Sequence, residues 1–371
     1  MREKTTGELK NDKSLSVVVG MSGGVDSSVV SLLLKKQGFR VIGVHMKGEN
    51  PETREADEAR VKELCEKLEI ECVVVEYENQ MKKVKDYFVN EYLSGKTPNP
   101  CVICNREVKF KPFVEYAEKL GADFFATGHY ADIEHLNSKH ILKTAVDENK
   151  DQTYFLCQLS QSQLEKALFP LGKLTKPEVR KIAEENGLVS ANTKDSYDVC
   201  FLGSQKFKDF MNEHYPEKPG NLVDVDSGKV VGKHTGISKY TLGQRKGLGI
   251  GGGAGKTGEC WFVTGKDMAN NVVYVAQGND DALYSNALTT NDFNWIPEKP
   301  EEQTFECFAK FRYRQTYQKV TVNVIDKTNL EIAFAEKQRA VTPGQYVVLY
   351  KKAENGMCCL GGGTINNVIK N

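Results

Sequence analysis

The stretch Val17-Val-Val-Gly-Met-Ser-Gly-Gly-Val-Asp-Ser-Ser28 constrains the fold of this chain more than any other. Its β-branched run reads as a buried strand, and Ser27 to Lys36 has the apolar spacing of a helix. The Gly-Met-Ser-Gly-Gly turn between them lets backbone N–H groups approach an anion. The helix opening at about Asp26 adds its positive end, and the Ser22 and Ser27 hydroxyls add donors. The unit is an oxyanion cradle. It lacks the Gly-Lys-Ser/Thr of a Walker-type loop and does not fit Gly-x-Gly-x-x-Gly, so neither γ-phosphate transfer nor dinucleotide binding is indicated.

The next segments repeat the alternation of strand and helix. Val41 to Val44 and Cys72 to Val75 read as strands, Glu55 to Leu68 as a helix between them, and then comes a helix over Lys109 to Leu120 and a strand over Asp123 to Thr127. Right-handed crossovers around a parallel sheet are expected. Thr175-Lys-Pro-Glu178 is a capping box with an early proline, opening a helix to Glu185. From about residue 218 the chain turns Gly-rich with short β runs. From about Leu283 it shows alternating strands at Phe305 to Phe311, Val320 to Ile325, Glu331 to Phe334 and Tyr346 to Tyr350. The expected architecture is multidomain α/β plus β: a Rossmann-like nucleotide-binding domain over 1–204, a small β-rich central domain over 205–282 and a C-terminal β-barrel, or a small sandwich, over 283–371.

With 371 residues, two or three cores are expected. No run of about 18 apolar residues occurs and the N-terminus lacks the order of a signal peptide, so a cytoplasmic protein is expected. In that reducing setting most of the ten cysteines should be buried small hydrophobes. Fifty basic and fifty acidic residues balance, so any nucleic-acid site must be a local patch.

The glycine loop resembles the Ser-Gly-Gly-x-Asp-Ser loop of PP-loop pyrophosphatases, which cleave ATP between the α and β phosphates. That resemblance implies ATP contact by Gly20, Met21, Ser22, Gly23, Gly24, Val25, Asp26 and Ser27, with Asp26 near Mg²⁺. It adds Met46 and Gly128, the latter at a strand's C-terminal end, where ligands bind in open α/β sheets. By itself Met46 reads as core.

Further motifs narrow the family. Thr97-Pro-Asn-Pro-Cys-Val-Ile-Cys-Asn105, Ala126-Thr-Gly-His-Tyr130, Asn149-Lys-Asp-Gln-Thr-Tyr154, Asp198-Val-Cys-Phe-Leu-Gly203, Thr241-Leu-Gly-Gln-Arg-Lys-Gly-Leu-Gly249, Phe311-Arg-Tyr-Arg-Gln315, Thr342-Pro-Gly-Gln345 and Cys359-Leu-Gly-Gly-Gly363 occur in the order found in tRNA-specific 2-thiouridylases. The resemblance implies adenylation of the C2 oxygen of a wobble uridine and sulfur delivery from a persulfide on Cys200. By the same resemblance Cys104 would be the second active-site cysteine, resolving the transfer through a Cys104–Cys200 disulfide. A cysteine desulfurase or persulfide relay protein would supply the sulfur. Arg106, Lys109 and Lys111 follow Cys104, where cations favour a thiolate.

The same resemblance assigns contacts with the target base and tRNA to Asn99, Pro100, Cys101, His129, Lys150, Asp151, Gln152, Arg312, Tyr313 and Gln345. Lys310 to Lys319 interleaves basic and aromatic residues, as phosphate contact and base stacking require, though a solvated strand face has the same pattern. Many family members have Asp where Cys101 stands, so Cys101 can share or replace the role of Cys104. No second Cys-x-x-Cys completes a zinc site. The competing cofactor is an iron–sulfur cluster on Cys101, Cys104 and Cys200. Competing functions are amidation or ligation of a small molecule by the same adenylating loop, or an RNA-binding or sulfur-carrier protein with a vestigial loop. The other cysteines, Cys65, Cys72, Cys157, Cys260, Cys307, Cys358 and Cys359, read as structural, the last pair just before a Gly-rich turn.

Overall fold

The computed structural model describes residues 15–48, 51–76, 78–136, 138–188, 199–202, 207–214, 218–251 and 258–370. Seven strands lie in the first part of the chain: β1 (Ser16–Gly20), β2 (Arg40–Met46), β3 (Glu71–Val75), β4 (Phe124–Ala126), β5 (Asp132–Leu136), β6 (Lys139–Lys143) and β7 (Ala167–Leu168). Five of them form a sheet in the order β3-β2-β1-β4-β7 with every pairing parallel. The period of two splits β1 between two cores. Val17 and Val19 face the Val25–Lys36, Pro51–Leu68 and Lys176–Glu185 helices, and Val18 faces the other side with Phe110, Phe113 and Phe125. The strand order reverses between β1 and β4, placing the β1 loop and the end of β4 at one crevice.

The middle of the chain holds β8 (Gly220–Asp224), β9 (Val230–His234), β10 (Trp261–Asp267) and β11 (Val272–Gln277) in one four-stranded sheet, order β10-β11-β8-β9. The last part forms β12 (Tyr284–Trp295), β13 (Thr304–Lys310), β14 (Gln318–Val324), β15 (Leu330–Arg339), β16 (Tyr346–Lys352) and β17 (Met357–Ile369). Their order β12-β15-β14-β13-β16-β17 closes through a β12–β17 pairing, which removes the free edges of the sheet. The β5–β6 hairpin leaves the first unit and extends this sheet, with Lys143 opposite Cys358 and the Thr144 N–H donating to the Met357 carbonyl at 2.9 Å. The units also share apolar packing. The Thr153–Leu156 helix and Cys157 are buried in one cluster with Tyr346, Val348, Tyr350 and Cys359 of the barrel.

One alternative and one expectation need correction. The alternative reading of Lys310 to Lys319 as a strand face does not hold, because β13 ends at Lys310 and β14 begins only at Gln318. Cys359-Leu-Gly-Gly-Gly363 is not a turn but the interior of β17. Its glycines are a packing requirement: a Cβ on Gly361 would lie 1.8 Å from the Asn294 carbonyl oxygen, and one on Gly362 would lie 2.6 Å from Cys157 Sγ. Gly361 also takes φ +116°. Gly361→Ala is therefore expected to lower stability by on the order of 3 kcal/mol. Gly121→Ala, with φ +64° and open space around it, should cost only about 1 kcal/mol. Urea unfolding of the two variants measures the difference.

Candidate active site

The β1 loop is built as the sequence implied. Gly23 takes φ +76°, which only glycine adopts without strain, and Gly24 is the N-cap of the Val25–Lys36 helix. The Ser22 and Ser27 hydroxyls lie 3.3 Å apart, and Ser27 Oγ also accepts from the Ser22 N–H at 3.3 Å. Behind the loop, the Met21 N–H donates to the Val44 carbonyl at 2.8 Å, and buried His45 donates from Nδ1 to the Met21 carbonyl at 2.8 Å. At the end of β4, a Cβ on Gly128 would lie 2.9 Å from Asp26 Cβ and 3.2 Å from the Ser27 nitrogen. Glycine there lets two strand ends close on one helix N-terminus. Met46 lies at the C-terminal end of β2, partly buried against the core.

Asp26 has partners that the motifs did not announce. Lys176 Nζ donates to both of its carboxylate oxygens at 2.8 Å, and the Tyr130 hydroxyl donates to Oδ1 at 3.0 Å. Lys176 is 7% exposed, and its backbone N–H donates to Asp147 at 2.9 Å. The capping box places it, since the Glu178 carboxylate accepts from the Thr175 N–H and hydroxyl, each at 2.7 Å. A lysine at the first position after a cap in a helix packed on the loop helix was the available signal. Mg²⁺ commonly binds through one or two carboxylates and substrate phosphates, so Asp26 fits a single-carboxylate contact beside the glycine loop.

The Cys-x-x-Cys segment lies on a short helix, Pro100–Ile103, continued by a seven-residue π-helix, Cys104–Phe110. Asn99 caps the helix by accepting from the Cys101 N–H at 3.2 Å. Cys101 is half-buried. Cys104 is buried with Met81, Val84 and Val108 in a cluster against which Phe201 also packs. That packing brings the Cys200–Leu202 turn to Cys104; the Cys200 side chain lies outside the described residues. A group of three metal-ligating side chains is not found among the described residues.

The side-chain hydrogen bonds of Arg106 lead away from the cysteine segment. Arg106 donates to Glu107 at 2.8 Å and to Gln158 Oε1 at 2.6 Å, and lies 3.6 Å from Asp292, so it ties this helix toward the barrel. Lys109 lies near His129 and Phe110 is fully buried against Phe125, His129 and Phe169. The Lys111–Lys119 helix then packs on β1, with the Phe113 ring 2.6 Å from where a Cβ of Gly20 would stand. One rigid run thus links the cysteines to the base of the glycine loop.

Several residues expected to face RNA are turned into the protein. Asp151 is 5% exposed and accepts from the Ala145 N–H at 3.0 Å and the Thr153 hydroxyl at 2.7 Å, and burial raises its pKa. Gln152 accepts from the Tyr130 N–H at 2.9 Å, and its own N–H returns a bond to the Tyr130 carbonyl. Gln345 donates to the Thr97 carbonyl at 2.8 Å and the Pro98 carbonyl at 3.3 Å. Pro100 is buried and Lys150 half-buried. Arg312 remains exposed although it donates to the Arg339 carbonyl at 3.0 Å, and Tyr313 packs against Phe155 at a ring distance of 4.4 Å. Asn105, beside Cys104, donates to the Phe155 carbonyl at 3.0 Å. The barrel loop and the cysteine helix therefore meet at Phe155. Thr97 is held from three sides: by Gln345, by its N–H to the Pro343 carbonyl at 2.9 Å, and by its hydroxyl 3.3 Å from Thr241 Oγ1. Cys260, expected to be packed, is exposed.

His129 is 8% exposed, with Nδ1 2.8 Å from Thr127 Oγ1; burial, helped by Lys109, drives its pKa well below the usual histidine value. His135, His140 and His234 shift the same way, burial being the first cause in each. The unfolded chain takes up protons near pH 6.5 that the folded chain refuses, so stability is full above about 6.5 and falls as the pH drops below it. The urea midpoint is expected to be lower at pH 5.5 than at pH 7, with a smaller difference in His129→Asn. Lys176→Met leaves Asp26 without its cation and should cost about 1–3 kcal/mol, below the range of a fully buried pair because Asp26 is one-third exposed. A Lys176→Met/Asp26→Asn double variant should recover most of that stability while ATP affinity, followed by calorimetry, stays reduced.

No helix among the described residues is long and apolar enough to cross a membrane. The chain matches three domain families in succession, described as tRNA methyl transferase HUP domain over residues 15–204, tRNA methyl transferase PRC-barrel domain over 208–277 and aminomethyltransferase beta-barrel domain over 285–365. It is 50% identical over 374 residues to the tRNA-specific 2-thiouridylase MnmA of Oceanobacillus iheyensis, covering 98% of each chain. It is 48% identical over 369 residues to that of Alkaliphilus oremlandii, covering 97% of this chain and all of the other. To that of Halalkalibacterium halodurans it is 50% identical over 371 residues, covering 98% of each. With a PP-loop at the switch point of a parallel sheet and likeness of this extent along its whole length, the chain belongs to the tRNA-specific 2-thiouridylases, ATP-using tRNA sulfurtransferases of the PP-loop type.

Proposed function

We propose that this enzyme thiolates C2 of the wobble uridine of tRNA in two chemical steps, in a cytoplasmic setting, on three domains divided near residues 204 and 283. The observation that carries the reading is the position of the Asn99–Cys104 segment. It is joined to the glycine loop through the π-helix and Phe113, and to the exposed Arg312 and stacking Tyr313 through Asn105 and Phe155.

In the first step the uridine O2 attacks the α-phosphorus of ATP and pyrophosphate leaves. The loop N–H groups, Ser22 and Ser27 hold the phosphates, and Asp26 would hold a Mg²⁺ ion that would offset their charge. Lys176 then has two roles by turns, as the cation on Asp26 without nucleotide and as a hydrogen-bond donor to phosphate with it. His129 stays neutral and acts as a hydrogen-bonding group rather than a cation. In the second step the terminal sulfur of a Cys200 persulfide attacks C2, and AMP leaves with the O2 oxygen. The Cys104 thiolate attacks the inner sulfur and breaks the S–S bond. The thiocarbonyl stays on the base and a Cys104–Cys200 disulfide on the protein, to be reduced before a sulfur-donor protein reloads Cys200. The residues around Thr97, Asp151 and Gln152 act indirectly, by fixing the loops that present Asn99 and Tyr130.

Anaerobically prepared protein with unmodified tRNA, ATP, Mg²⁺ and a sulfur donor is expected to yield 2-thiouridine, read by nucleoside mass spectrometry; no product with any donor refutes the assignment. Cys104→Ser and Cys200→Ser should each cut product roughly a hundredfold or more while tRNA-dependent pyrophosphate release persists. Cys101→Asp should retain activity. Loss confined to Cys101→Asp would transfer the thiol role to Cys101, and turnover that requires stoichiometric iron would favour the cluster chemistry.

A further inference from the structure

His45 is a polar residue where the pattern of its strand calls for an apolar one. It stands in β2, Arg-Val-Ile-Gly-Val-His-Met, whose inner residues are buried on both faces of the sheet, and it is itself 4% exposed. The period of two sets it on the face of Val41, which packs with the Val25–Lys36 and Pro51–Leu68 helices. A buried imidazole costs free energy unless its polar atoms find partners. Its Nδ1 lies 2.8 Å from the Met21 carbonyl oxygen, and because a carbonyl only accepts, Nδ1 carries the proton.

That bond fixes the first peptide of the glycine loop. The β1–β2 ladder continues until the Met21 N–H donates to the Val44 carbonyl at 2.8 Å, and His45 is the next residue along β2. A trans peptide is planar, with its C=O and N–H pointing in opposite directions. With the Met21 carbonyl turned to His45, the Ser22 N–H is turned to the other side, where it points at Ser27 Oγ over a long 3.3 Å. Ser22 is exposed, so an anion can take that N–H in place of the hydroxyl. Half a turn of the same peptide would instead present a carbonyl oxygen, which repels phosphate. Ser31 holds only the Met21 side chain, its Oγ 3.1 Å from Sδ, and leaves the direction of the peptide to His45.

We propose that His45 is a positioning residue for the adenylation step, holding the Met21–Ser22 peptide in the orientation that offers the Ser22 N–H to a phosphate of ATP; the proposal rests on the ATP reading of the loop. His45→Asn, His45→Gln, His45→Leu and Ser31→Ala test it in the full-length protein, by calorimetric ATP affinity and by KM for ATP in tRNA-dependent pyrophosphate release. Asn carries an amide N–H at the place of Nδ1, whereas Gln carries it at the place of Nε2. His45→Asn should therefore keep the ATP Kd within about twofold of wild type, while His45→Gln and His45→Leu should raise Kd and KM roughly three- to tenfold. Ser31→Ala, which loosens the Met21 side chain without freeing its carbonyl, should leave Kd unchanged. The Asn and Gln variants carry the test should His45→Leu fail to fold. A wild-type Kd in His45→Gln, or a loss in His45→Asn or Ser31→Ala equal to that in His45→Gln, would overturn the role of His45 and leave the thiolation reading intact. Failure of the wild-type protein to bind ATP would overturn the nucleotide reading itself.

Discussion

The hydrophobic core shared by the parallel sheet and the outside of the barrel is the constraint on which the rest depends. Tyr154, Leu156 and Cys157 sit in it with Tyr346, Val348, Tyr350 and Cys359, all 0–1% exposed. At roughly 1.5–3 kcal/mol for each large apolar side chain buried, that contact outweighs any single hydrogen bond between the units. Polar groups then set its register. The Tyr154 hydroxyl donates to the Tyr346 carbonyl at 2.8 Å, and the Gln158 amide donates to the carbonyls of Gly362 at 2.6 Å and Asp292 at 2.9 Å. Domains joined by modest polar interfaces move by default, and these do not have that kind of interface. Tyr313 and Gln345 are thereby held against the unit that carries Cys101 and Cys104, through Phe155 and the Thr97 and Pro98 carbonyls.

A second dependence is electrostatic. Asp26 stands in the first turn of a helix, where the dipole favours a carboxylate, and Lys176 and Tyr130 fix its direction. An acid aimed by a buried lysine is preorganised for the charge that arrives with a nucleotide. The same packing keeps His129 neutral. The site thus combines a fixed anion, a fixed cation and a neutral imidazole without relying on the net charge of the chain, which is zero.

Much of this was legible from local patterns. The β-branched run before Gly20, the glycines after it and the Thr175 capping box each specify their own backbone, because strand, turn and cap preferences act within a few residues. What a local pattern does not show is a residue's remote partner. Arg106, read as a cation for Cys104, is satisfied by Gln158 and reaches Asp292. Asp151 and Gln345, read as RNA contacts, bond to backbone groups of their own protein. The glycines of β17 read as a turn because the packing that demands them, at Asn294 and Cys157, lies far along the chain. Lys176 lay inside the capping box that was read, but its role was missed, since its meaning comes from Asp26, 150 positions away.

By itself the sequence determined the local units: a strand, glycine loop and helix that must cradle an anion, a proline-led Cys-x-x-Cys, and strands patterned for a closed sheet. Those units arise from backbone sterics and hydrophobic period, which need no distant partner. Only the tertiary structure decided which units meet, and so which polar side chains face a substrate and which are consumed by the fold. Buried donors and acceptors must find partners wherever packing brings them, and packing is a property of the whole chain.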